Sequence, residues 1–127
     1  MALGCLLIMP LYSQTLRDQT GALLGRIDEQ GTVRDASGKI LGSIDGHGNV
    51  RDEAGRFKGR IDDGLNVRDA SGRIIGTIRN RTVRDQFGRM LGRIEPNGNV
   101  RDRSGRLIGK AEDVREEYAA AFFFFFW

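Results

Sequence analysis

Six Arg-Asp dipeptides are the recurring side-chain pairs in this sequence that could do chemistry: Arg17-Asp18, Arg34-Asp35, Arg51-Asp52, Arg68-Asp69, Arg84-Asp85 and Arg101-Asp102. A guanidinium offers a planar fork to carboxylate, sulfate or phosphate. A carboxylate offers an acid, a base or a cation ligand. Around these pairs the chemistry is sparse. The chain has one histidine, His47, and one cysteine, Cys5. That composition excludes a His/Cys zinc site, an intrachain disulfide and most histidine-based catalysis. His47 lies between Gly46 and Gly48 and reads as a solvated turn residue. Ser37, Ser71 and Ser104 have no histidine base near them in the sequence. The segments Asp45-Gly46-His47-Gly48-Asn49 and Asp62-Asp63-Gly64 lack the spaced oxygen series and closing Glu of a calcium loop. The glycine-rich text contains no Walker or dinucleotide fingerprint. No catalytic, cofactor-binding or metal-binding residue is therefore assigned, and the chain is read as not an enzyme.

The six pairs begin at 17, 34, 51, 68, 84 and 101, and aligning them exposes an internal repeat of about 17 residues. Its pattern is Val-Arg-Asp-x-x-Gly-Arg-apolar-apolar-Gly-x-Ile-Asp followed by a short polar linker. The clearest copy runs from Val67 to Ile78. Asp-x-x-Gly is a turn: Asp accepts bonds from the turn backbone, and Gly takes the left-handed fourth position. A second turn separates each Ile from the next Val, as in Asp28-Glu29-Gln30-Gly31 and Glu95-Pro96-Asn97-Gly98. The linker Arg79-Asn80-Arg81-Thr82 is one residue shorter. Two short strands and two tight turns per unit predict an antiparallel meander, since parallel pairing needs long crossovers. The turn Asp residues are thereby assigned to turn formation. Strand alternation predicts Ile74, Gly76 and Ile78 on one face, with the Val column joining the core and its neighbouring Arg pointing away. Equivalents of Ile74 are Leu23, Ile40, Phe57, Met90 and Leu107. The column Leu24, Leu41, Lys58, Ile75, Leu91 and Ile108 is expected to be partly buried on the other face. Gly25, Gly42, Gly59, Gly76, Gly92 and Gly109 sit mid-strand, where glycine weakens a strand unless something approaches closely.

Arg34, Arg51, Arg68, Arg84 and Arg101 point the same way under this symmetry and form a candidate anion-binding ring. The competing reading is a ladder of surface pairs with neighbouring Asp and Glu. The net charge of +3 and the pI of 9.5 do not signal nucleic acid. Each Arg is neutralised locally by its Asp, and within the repeats only Phe57 and Phe87 are aromatic.

Both ends differ from the middle. Residues 1–13 are uncharged, and the apolar stretch Ala2 to Leu11 has the length of a signal-peptide h-region, with a cut after Ser13. The stretch lacks a basic n-region, as a leader shortened at its start would. A buried N-terminal strand and a lipoprotein signal at Cys5 are the alternatives. Residues 14–111 form the repeat domain. Residues 112–127 are expected to form a short helix, capped by Asp113 with Glu116 as capping-box partner, and then a Phe-rich strand packed on or into the repeats. Phe122, Phe123, Phe124, Phe125, Phe126 and Trp127 would aggregate if left in water. They are expected to be buried in the chain's own core, with a partner or homo-oligomer, or a membrane, as the other occupants.

The repeated units at 50–61 and 67–78, the apolar leader ending near Ser13-Gln14 and the Ala-Ala-Ala-Phe-Phe-Phe-Phe-Phe tail together resemble the five-fold β-flower proteins. The resemblance covers nearly the whole chain. It implies a small exported protein of a Gram-negative bacterium, all-β, with antiparallel hairpins around a pseudo-five-fold axis. The five complete Ile-turn-Val hairpins between Ile27 and Val100 fit that name. The resemblance supplies an architecture and no functional residues. The expected function is a non-catalytic, exported structural or interaction module in the periplasm, at the outer membrane or outside the cell. Its partner would be a protein or glycan, and no cofactor is expected. Lipid association through the aromatic tail, and binding of an anion or polyanionic glycan by the arginine ring, are the alternatives.

Overall fold

The computed structural model describes residues 14–63 and 66–127; the expected leader, residues 1–13, lies outside them. Twelve strands pair antiparallel in strict chain order and close on themselves. They are β1 Thr15–Asp18, β2 Leu23–Ile27, β3 Thr32–Asp35, β4 Ile40–Ile44, β5 Asn49–Asp52, β6 Phe57–Asp62, β7 Asn66–Asp69, β8 Ile74–Arg79, β9 Thr82–Asp85, β10 Met90–Ile94, β11 Asn99–Asp102 and β12 Leu107–Glu112. Short strands and tight turns leave the meander no other pairing, and closure removes the unpaired edges that such a sheet would expose. The strands form six hairpins, and Ile-side turns join one hairpin to the next. The last junction is the seam of β12 with β1, where Thr15 faces Glu112. Thr15 Oγ1 donates to Glu112 Oε1 at 2.7 Å, and Arg17 Nε donates to the same oxygen at 3.2 Å.

The Asp-x-x-Gly turns form as the residue types require. In one hairpin, Asp35 Oδ1 accepts from the Ser37 and Lys39 amides at 2.9 and 3.0 Å. Gly38 there has φ 93°. The short linker is a two-residue turn with Asn80 at φ 51° and Arg81 at φ 65°, the conformation a tight hairpin favours. Arg79 and Thr82 face each other across it.

The core is the Val and Ile columns. Leu16, Val33, Val50, Val67, Val83 and Val100 are fully buried, and the Ile27 column is nearly so. The expectation for the Ile74 column fails: Ile40, Phe57 and Ile74 are 42%, 40% and 38% exposed. The cause is a β-bulge in every hairpin. Leu16 faces Gly25 but Arg17 faces Leu23, so Leu24 is an extra residue. The same slip recurs between Val67 and Arg68. One inserted residue reverses the alternation, so Leu24, Leu41, Ile75, Leu91 and Ile108 turn toward the core and the preceding residue turns out.

The C-terminal segment is also corrected. The Phe-rich strand is absent; an α-helix, α1 (Glu116–Ala120), runs into a π-helix over Ala121–Phe126. A strand inside the barrel would need a sheet edge to pair with, and closure leaves none. Only a helix satisfies its own backbone there. Asp113 does not cap it: Asp113 is left-handed at φ 58°, and Arg115 is the N-cap residue without a side-chain cap bond. Ala119, Ala120 and Ala121 are fully buried, small enough to thread between the Val and Ile columns.

Candidate functional site

The glycine column is the seat of the aromatic tail. A Cβ on Gly109 would lie 2.6 Å from Phe123, and one on Gly92 2.6 Å from Phe124. Gly76 meets Phe125, Gly59 meets Phe126 and Gly42 meets Trp127 in the same way. Successive tail residues therefore step backwards around the ring, one hairpin per residue. An α-helix turns about 100° per residue and would overshoot hairpins spaced about one sixth of a turn apart. The wider i→i+5 turn of a π-helix brings successive side chains closer to that spacing. Phe122 and Trp127 complete the circuit and stack with centroids 6.4 Å apart. Trp127 Nε1 donates to the Leu41 carbonyl at 3.3 Å. Lys58 is the one charged side chain of its column, and it earns its place here. Its ammonium donates to the Phe126 carbonyl at 2.8 Å and lies 5.1 Å from the Trp127 ring, at the C-terminal end of the helix, where a cation is favoured. The sequence signal for this arrangement was present in the matched runs of glycines and aromatics, but not the one-to-one order.

Arg34, Arg51, Arg68, Arg84 and Arg101, the candidate anion ring, stand one on each of the strands β3, β5, β7, β9 and β11. Each follows an inward-facing Val on a closed sheet, on the outer side of the wall. Each is held by its own turn. Nη1 of Arg34, Arg51, Arg68, Arg84 and Arg101 donates to the carbonyl of Gly38, Gly55, Gly72, Gly88 and Gly105 at 2.9–3.2 Å. Arg17 does the same to Gly21. Arg68 and Arg101 also pair through Nε with Asp62 and Glu95, both at 3.0 Å. The clamp from Arg to the glycine four residues on is the role the sequence reading missed; the constant Arg-Asp-x-x-Gly spacing is its signal.

The turn carboxylates are held ionised by hydrogen bonds. The Ser71 hydroxyl, then the Arg73 amide, lower Asp69 to about 2. Ser37 and Ser104 lower Asp35 and Asp102 in the same way. Desolvation pushes Asp45, Asp62 and Asp85 up, and their turn amides and neighbouring side chains outweigh it, so these too are lowered. Such groups are acceptors already in use within their turns.

At the end where α1 enters, clefts open between the helix and the Ile-side turns. One of about 700 Å³ is lined by Arg81, Glu95, Asp113 and Glu116. Another of about 500 Å³ is lined by Asp45, His47, Arg60, Arg115, Glu117 and Tyr118. His47 is exposed, and its amide donates to Asp45 Oδ1 at 2.8 Å. Among the described residues no group of three or more His, Cys, Asp or Glu side chains could hold a metal ion. No helix among them is long and apolar enough to cross a membrane.

Fold and surfaces together define a class: a closed antiparallel ring of hairpins, filled by its own aromatic C-terminus, with turns at both rims and clefts beside α1. The chain belongs to the 5-fold beta-flower proteins, a family it matches over residues 13–127. No curated protein and no solved structure matches it.

Proposed function

We propose that this protein is a non-catalytic interaction module, exported to the cell envelope, that works through the ends and outer wall of a filled ring. The observation that carries this reading is the filling itself. A twelve-stranded barrel is wide enough to enclose a ligand, and here Ala119–Trp127 occupy that space. In this reading the five-fold element is the set of contacts made by Phe123, Phe124, Phe125, Phe126 and Trp127 with five glycines of the repeat, and a leader ending near Ser13 directs export. Fractionation, with mass spectrometry of the mature N-terminus, tests it. A chain recovered from the envelope beginning at Gln14 is the expected result; a cytosolic chain beginning at Met1 would refute export.

A second reading gives the aromatic tail to lipid, since Phe122 to Trp127 are only partly buried. Deleting residues 122–127 separates the two. As core, the tail's loss lowers Tm and solubility. As an anchor, its loss leaves a folded, soluble protein that no longer floats with vesicles.

A further inference from the structure

We infer that the end of the barrel opposite α1 is a docking surface for a layer of anionic lipid headgroups. This rests on the reading of the chain as an envelope interaction module and names the partner of one of its ends. The first observation is that charge is segregated along the barrel axis. The Ile-side turns and the segment from Glu112 to Glu117 hold ten carboxylates and three arginines, a side-chain charge of −7. The Asp-x-x-Gly turns, the arginines clamped to their glycines and Lys58 together hold thirteen cations and seven carboxylates, a side-chain charge of +6. Between the two groups stand Arg26, Arg60, Arg93 and Lys110, of which Arg60 and Lys110 reach the clefts at the α1 end, and Arg17, Arg68 and Arg101 bridge the wall to Glu112, Asp62 and Glu95. A net charge of +3 hides this polarity.

The second observation is that the basic end also carries the exposed apolar side chains. Phe87 sits on a turn tip and is 72% exposed, and Ile40, Phe57 and Ile74 flank neighbouring turns. Inside this collar lie the partly buried Leu24, Leu41 and Ile75 and the tail aromatics. Cations accompany the rings: the Arg89 guanidinium lies 5.2 Å from the Phe87 centroid, and that of Arg51 5.8 Å from Phe57. Arg56, Arg73, Arg89 and Arg106 pair through Nε with the Asp of their own turns, yet their side chains stay 76%, 77%, 70% and 79% exposed. Apolar tips that enter a bilayer interface, ringed by long cations that reach its phosphates, are the pattern of an interfacial docking surface. At the opposite end the arginines are outnumbered by carboxylates, and none of the exposed large apolar side chains of the described residues lies there, so binding has one orientation.

The test is flotation of the full chain with phosphatidylcholine vesicles, with and without phosphatidylglycerol. Binding should require phosphatidylglycerol and weaken as salt is raised. Arg56→Gln, Arg73→Gln, Arg89→Gln and Arg106→Gln combined should weaken it by about a thousandfold. Phe87→Ser should weaken it while leaving the salt dependence in place. Glu29→Gln with Glu116→Gln, at the acidic end, should leave it unchanged. All these positions are on the surface, and circular dichroism verifies folding. Equal binding to pure phosphatidylcholine, no binding, loss through the acidic-end variant, or self-association that depends on Phe87 would each overturn the inference. An envelope-localised chain that ignores anionic vesicles refutes this docking surface alone; a cytosolic chain that binds them refutes the export reading alone.

Discussion

Two glycines four residues apart should respond very differently to the same methyl group. Gly88 is a turn residue at φ 82°, with open space where a Cβ would be. Ala there adopts a left-handed conformation at a cost of about 1–2 kcal/mol, partly offset by about 0.4–1 kcal/mol of lost freedom in the unfolded chain. The net is about 1 kcal/mol. Gly92 has no such backbone constraint, but a Cβ would lie 2.2 Å from the Arg101 carbonyl oxygen and 2.6 Å from Phe124. The oxygen belongs to the paired strand and the ring to the plug, so both must shift in a closed barrel. Overpacking of this kind costs about 3 kcal/mol. Gly92→Ala should therefore be about 2 kcal/mol less stable than Gly88→Ala, a Tm difference of about 8 °C for a chain of this size. Urea unfolding followed by Trp127 fluorescence reads the difference directly. Phe124→Leu in the Gly92→Ala background removes one of the two clashes and should return about 1 kcal/mol of coupling. Equal midpoints for the two glycine variants, or no coupling to Phe124, would refute the seating of the tail on the glycine column.

Phe124→Ala alone should cost about 3 kcal/mol, the low end for a large core residue because the ring is partly exposed, measured by the same unfolding assay. Arg81→Gly should raise Tm slightly, by relief of about 1 kcal/mol of left-handed backbone strain at φ 65°. Glu112→Gln should loosen the β12–β1 seam by about 1–2 kcal/mol, since Arg17 loses a charged acceptor, and should speed hydrogen exchange at Thr15 and Leu16. The turn carboxylates are depressed in the folded state, so their stabilisation is complete above their unfolded value of 3.8 and is lost as pH falls through their folded values, which for Asp69 is about 2. Tm should be level from neutral pH to about pH 5 and fall below about pH 4. Asp69→Asn, which keeps an acceptor oxygen, should make that fall shallower.

The local chemistry of the hairpins was legible in the residues themselves. Asp-x-x-Gly dictates its turn because the carboxylate and the glycine act within five residues of each other, as the bonds of Asp35 to Ser37 and Lys39 illustrate. The period of the Arg-Asp pairs, the antiparallel pairing, the burial of the Val and Ile columns and the missing linker residue at Asn80-Arg81 follow from equally short-range rules. Three features were decided only in three dimensions. The bulge at Leu24 and its equivalents reversed the faces of two columns, because one unpaired residue shifts alternation without any change in composition. The tail, whose aromatic side chains favour strands, became a helix because closure of β1 onto β12 left no edge to pair with. The charges of the Ile-side turns and of the Asp-x-x-Gly turns, interleaved along the sequence, separated because alternate turns of a closed meander fall on opposite rims. A neighbour along the chain fixes a turn; which surface a side chain joins depends on where the whole sheet closes.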